Sequence, residues 1–92
     1  MSYLYKVNGL LKLHRTFFKE EDYKEKYRER NFSEEYNLKI VAEDVETAIT
    51  RYRNDVRQVF EIKDFEDDGP FIQTVNDIII SEVTKLDYVD IA

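Results

Sequence analysis

Cysteine is absent from this 92-residue chain, so neither a disulfide framework nor a thiolate metal site can form, and a reducing compartment is the expected setting. A single histidine, His14, is too few for a histidine-rich metal centre, and on the polar side of an alternating segment it reads as a surface residue. Only two glycines occur, neither in a GxGxxG or P-loop context, so nothing here cradles phosphate. No apolar run approaches the roughly 18 residues of a membrane span, and the start MSYLYKVNGLLKLHR lacks the uninterrupted apolar core of a signal peptide. The expectation is a cytoplasmic, non-enzymatic protein with no cofactor and no bound metal.

What is present is charge, and it is segregated. Residues 61–92 carry nine carboxylates and two lysines, a formal −7, while the whole chain is −6. Residues 1–30 carry eight bases against five acids, and residues 31–60 four against six. A one-signed field is a statement about partners: it attracts basic proteins and repels nucleic acid and anionic lipid. The chain also has seven tyrosines and six phenylalanines. Tyrosine can bury its ring while its hydroxyl stays wet, which suits a small core and a partner surface equally. At this length a single domain over residues 1–92 is expected, burying only about 60–65% of its unfolded surface, so association with another chain would help it.

Tyr3, Tyr5, Val7, Leu11 and Leu13 alternate with Lys6, Asn8, Lys12 and His14, the two-residue period of a half-buried strand. Gly9 interrupts the pattern and marks a bulge or a turn dividing it. Lys19 to Glu35 is densely charged, with Glu20, Glu21 and Asp22 ahead of Lys24, Lys26, Arg28 and Arg30. That order suits a helix macrodipole, and Tyr23 and Tyr27 lie four apart, so residues 20–30 read equally as a second short helix or as a loop. Tyr36, Leu38, Ile40 and Ala42 then alternate as a strand, after which Val45, Ala48, Ile49, Tyr52 and Val56 take helical spacing. Asp44 stands at the junction as N-cap, predicting an amphipathic helix over about 45–58 whose outer face holds Arg51, Arg53 and Arg57.

Glu66 to Pro70 is a turn, and the remainder divides at Asn76-Asp77 into strands 71–75 and 78–89. A helix over 70–86 also fits the spacing of Ile72, Val75, Ile79, Val83 and Leu86, but the β-branched run Ile78-Ile79-Ile80 favours a sheet. The fold class expected is α+β, an antiparallel sheet with one main helix on one face.

Asp64, Glu66, Asp68 and Gly69 copy the first half of a calcium-binding loop, but a glutamate in the second ligand position and proline after Gly69 argue against an EF-hand. Collectively the acids point elsewhere. Carboxylates on alternate strand residues stand about 6.6–6.8 Å apart, near twice the roughly 3.4 Å axial spacing of phosphates along one DNA strand. A row of them can meet the lysines and arginines of a DNA-binding surface. The candidate phosphate surrogates are Asp64, Glu66, Asp67, Asp68, Asp77, Glu82, Asp87 and Asp90, with Glu43, Asp44 and Glu46 as an extension.

In length, acidic balance, Lys/Asn/Ile-rich vocabulary and the acidic stretches EIKDFEDDG and NDIIISEVTKLDYVDIA, the chain resembles the Arn family of T-even bacteriophage anti-restriction proteins. The resemblance implies a homodimer whose acidic faces imitate duplex DNA. It implies as partner a host restriction endonuclease or a histone-like nucleoid protein, not nucleic acid or membrane. The positive first third limits how much surface can take part. A different expectation is a shape-specific phage interaction module, of anti-CRISPR or polymerase-modifying type, that uses Tyr23, Tyr27 and Arg53; a small metal-dependent enzyme is a third.

Overall fold

The segment whose alternation begins at Tyr3 stays extended through Phe18. In the computed structural model, which describes residues 1–89, it forms a single strand β1 (Ser2–Phe18). The chain continues as β2 (Lys26–Ala42), helix α1 (Val45–Phe60), β3 (Ile62–Glu66) and β4 (Gly69–Val89). All pairings are antiparallel and the sheet order is β2-β1-β4-β3, so the α+β class holds. The three long strands make an elongated body of 50 × 26 × 19 Å.

Helix α1 forms where the period changes. Asp44 has extended backbone and its carboxylate accepts the Thr47 amide at 2.7 Å, satisfying one of the donors a helix start leaves open. Ala48, Tyr52 and Val56, each one turn apart, are fully buried against the sheet. The far end is fixed by Gln73, the one buried polar side chain among the described residues. Its amide donates to the Phe60 carbonyl at 2.8 Å, and its oxygen accepts from Arg15. The helix covers Val7, Leu11 and their β2 and β4 neighbours, leaving the opposite sheet face, with Lys6, Asn8, Lys12 and His14, uncovered.

Two expectations need correction. Residues 20–30 are not a short helix: 19–25 is a turn closed by the Lys19 amide on the Glu25 carbonyl at 2.9 Å, and β2 is already under way at Lys26. The physical reason is tertiary. Arg28, Arg30 and Phe32 lie on one side of β2, where Arg28 covers the Phe17 ring and Arg30 the Phe32 ring. Local charge order gave way to pairing along the whole of β1. Tyr23 and Tyr27 share no helix face: Tyr23, at φ 56°, packs on Phe18, and Tyr27 lies beside Phe17.

The second correction concerns the division at Asn76-Asp77, which is not a turn but a bulge inside one strand. Between β1 and β4 the register slips three times, leaving Asn76, Ser81 and Leu86 without an opposite residue. Gly9 likewise does not split β1; the bulge lies across from it, at Ser81.

Candidate partner-binding surface

Each β4 bulge is followed by an acid: Asn76-Asp77, Ser81-Glu82, Leu86-Asp87. In a regular strand, residues five apart face opposite sides; one extra residue in each interval turns all three acids to the same side. Their β1 neighbours are Lys12, Asn8 and Leu4, which alternate with the helix-facing set, so the three acids line the uncovered face. Successive acids are set four β1 residues apart, about 13 Å at 3.3–3.4 Å per residue. This row is twice as sparse as the 6.6–6.8 Å expected for alternate positions. It is also interrupted by bases: Lys6 Nζ lies 3.7 Å from Glu82, and Lys12 stands beside Asp77.

Asp64 and Glu66 occupy alternate positions of β3 on the helix side of the sheet, and Asp67 and Asp68 lie in the turn to β4. The predicted surrogates therefore divide between two faces. Three of them carry internal counter-ions: Glu66 binds Arg15, Asp68 binds Arg28, and Glu82 meets Lys6. Asp64, Asp67, Asp77 and Asp87 have no ion pair among the described residues. Asp90 lies outside the described residues. Glu43, Asp44 and Glu46 are at the other end of the molecule, at the start of α1. There the Thr47 amide holds the Asp44 carboxyl below the usual carboxylate range, which is a capping duty.

The fold adds acids that a linear reading of the last third leaves out. The β1–β2 turn and the β3–β4 turn lie at the same end of the sheet: Phe18 pairs with Lys26, Phe17 with Phe71, and Tyr27 donates its hydroxyl to the Asp68 carbonyl. Glu20, Glu21 and Asp22 are thus brought to the same end as Asp64 to Asp68, all of them exposed. The bases there are largely engaged: Lys19 with Glu25 at 3.0 Å, Lys26 with Glu29 at 3.2 Å, and Arg15 and Arg28 as above. Lys26 also holds the Glu29 carboxyl below its ordinary range. These pairs are exposed and contribute little stability, but each cancels local charge. The groups left without an ion pair at this end among the described residues are the acids Glu20, Glu21, Asp22, Asp64 and Asp67 and the bases Lys24 and Lys63. No local sequence signal marks these acids: it is the pairing of the first half of β2, which carries no apolar pattern, that makes 18–26 a hairpin turn at the end where β3 also turns.

The same end carries arginines stacked on aromatic rings. Arg15 lies 4.1 Å from the Phe71 centroid and 5.3 Å from Phe32, and Arg28 lies 4.5 Å from Phe17. Their planar guanidiniums cover the rings that α1 does not reach. His14, on the uncovered face, contacts Asn31 at 2.6 Å and Glu29 at 3.4 Å. No group of acids and imidazole suited to holding a metal ion occurs among the described residues, and no helix there is long and apolar enough to cross a membrane. Comparison with protein-family models, with curated proteins and with solved structures found no match.

Proposed function

We propose that the chain is a non-enzymatic inhibitor that occupies the DNA-binding surface of a basic host protein, with the acidic turn end as its leading contact. What supports this reading is that two acidic segments, 20–22 and 64–68, meet at one end although some forty residues separate them. The row Asp77, Glu82 and Asp87 extends the surface along the uncovered face. In the setting that the Arn-family resemblance implies, the partner is a restriction endonuclease or a histone-like nucleoid protein in the host cytoplasm.

Magnitudes limit the mimicry. A duplex as long as this 50 Å molecule carries about 30 phosphates at one charge per 1.7 Å. The chain has 20 carboxylates offset by 14 lysines and arginines. It competes for a local patch of a DNA-binding groove rather than standing in for a whole duplex, and aromatic contacts such as the half-exposed Tyr27 must supply the rest.

The test is capture of DNA-binding proteins on the immobilised chain, eluted with graded salt and with competing DNA. Release by both, and loss of capture on combined Glu21→Gln, Asp64→Asn and Asp67→Asn substitution, is the expected result. Capture that withstands high salt and those substitutions overturns it. Greater loss from Tyr27→Ala or Arg53→Ala than from the acid changes would favour the shape-specific interaction module instead, since both side chains are exposed.

A further inference from the structure

The two outer strands differ in a way that bears on association. The outer side of β4 is covered by β3 only over residues 69–73, and beyond that it is broken by bulges at Asn76, Ser81 and Leu86, a recognised means of blunting an edge. β2 has no such protection. Its one bulge is at Tyr27, near the turn; from Arg28 to Ala42 it pairs with β1 in unbroken register, it contains no proline or glycine, and among the described residues no strand lies on its outer side. Helix α1 contacts its second half through Tyr36, whose hydroxyl meets Asp55, and Val41, whose carbonyl accepts from Arg51. The first half, residues 26–35, is exposed apart from the half-buried Phe32.

The charges on this free half are ordered. Lys26, Arg28 and Arg30, with Glu29 among them, come first and Glu34 and Glu35 follow, so the strand is net basic at one end and acidic at the other. An antiparallel copy reverses that order and sets opposite charges against each other. We propose that β2 pairs with β2 of a second copy of this chain, antiparallel about a two-fold axis through Asn31, joining two four-stranded sheets into one.

The register follows from the charges. Centred on Asn31, Arg28 faces Glu34 of the second copy, twice by symmetry, and Arg30 faces the Phe32 ring. On the other face Glu29 meets Ser33; Tyr27, the unpaired residue of the bulge opposite Phe17 and Phe18, lies beyond the regular register. No like charges are opposed. Moving the centre one residue toward the start, to Arg30, sets Arg30 against itself. Moving it one residue the other way, to Phe32, sets Glu29 against Glu35 twice. Directly opposed like charges destabilise a strand pair and opposite ones support it, so the Asn31 register is selected over both neighbours. Because residues facing each other across the axis share a face, both helices lie on the same side of the joined sheet. The inference rests on the edge alone and stands whether or not the acidic end binds a basic protein.

Two experiments on the full chain test it. With no native cysteine, Asn31→Cys places a thiol opposite its own copy, at the 4.5–5.5 Å Cα separation of an antiparallel pair and within disulfide reach. Mild oxidation is expected to give a covalent dimer in high yield. Glu29→Cys, whose copies sit about 13 Å apart in this register, is expected to give little. In sedimentation, Arg28→Glu alone and Glu34→Arg alone should each raise the dimer dissociation constant at least tenfold. An equimolar mixture of the two should associate again, because each then meets its opposite. Circular dichroism on each variant verifies that the sheet is retained. A wild-type chain that stays monomeric at millimolar concentration, equal crosslinking at positions 29 and 31, or single reversals that leave the dissociation constant unchanged would each overturn the proposal.

Discussion

Gly9 and Tyr52 share one space: a Cβ built on Gly9 would lie 2.2 Å from the Tyr52 hydroxyl oxygen and 3.0 Å from the ring carbon that bears it. The buried ring therefore rests on bare backbone at the centre of β1, and its hydroxyl donates to the Tyr36 carbonyl at 2.7 Å. A glycine mid-strand weakens the strand by itself, and here that weakness is what lets the helix approach the sheet. Gly9→Ala is expected to cost about 1–3 kcal/mol through overpacking, and Tyr52→Phe about 1 kcal/mol through the lost hydrogen bond. Combined, they should cost less than the sum, since removing the hydroxyl removes the closest clash. A double-mutant cycle by urea unfolding measures this coupling, and simple additivity would show that the two residues do not compete for the same space.

Tyr36 ties β2 to α1. Its hydroxyl donates to the Asp55 carboxylate at 2.5 Å, and that bond, followed by desolvation, pushes the phenol up to about 12. In the unfolded chain the phenol ionises near pH 10. The folded state thus keeps a proton that the unfolded state gives up, and stability linked to this group is complete below pH 10 and falls as pH rises toward 12. Unfolding curves at pH 9 and pH 11 should show a larger loss for the wild type than for Tyr36→Phe. Equal losses would mean the hydroxyl is not held by Asp55.

The Asp44 cap works in the opposite pH direction. Its folded carboxyl is held low by the Thr47 amide, so the contribution is present above the ordinary carboxylate range and disappears as pH falls through the lowered value. Asp44→Ala should lower the urea midpoint at pH 7, and the gap from wild type should close in acid. Asp44→Ser, which retains a capping oxygen, should retain much of the midpoint at both pH values.

Helix α1 was legible in the sequence because everything that specifies it is local: the Asp44 cap, the change of period, and Ala48, Tyr52 and Val56 on one stripe. The inner face of β1 was legible for the same reason. The first half of β2 was not, since Arg28 and Arg30 carry no apolar signal and acquire their cover only from Phe17 and Phe32, which are distant or alternate neighbours in the chain. The candidate acids fared similarly. Their identities were plain, but which face each takes depends on bulges, and a bulge is a property of two strands together. Asn76, Ser81 and Leu86 convert an apparent mixture of helical and strand spacing in β4 into one inward series, Phe71, Gln73, Val75, Ile78, Ile80 and Val83, whose steps are two residues except where a bulge makes them three. The helical alternative for residues 70–86 shares only Val75 and Val83 with that series: Ile72 and Ile79 lie on the uncovered face and Leu86 in a bulge.

That account of β4 makes a deletion test. Ser81 has no opposite residue, so removing it leaves Ile80 facing Gly9, Glu82 facing Asn8 and Val83 facing Val7, with every inward residue still inward. The losses are the local twist that the bulge adds and one bond from the Ser81 hydroxyl to the Asn8 carbonyl at 3.2 Å. Removing Leu11 from unbulged β1 is different in kind. Lys12 would take its buried position, and every later residue of the strand would change face. The Ser81 deletion is expected to unfold cooperatively with a strand-rich circular dichroism spectrum, its urea midpoint lowered by an amount consistent with about 1 kcal/mol. The Leu11 deletion is expected not to fold. If the Ser81 deletion also fails to fold, the bulge is required for closing the sheet over Tyr52 rather than being an insertion that the pairing tolerates, and the five-residue spacing of Asp77, Glu82 and Asp87 would then be a consequence of core packing.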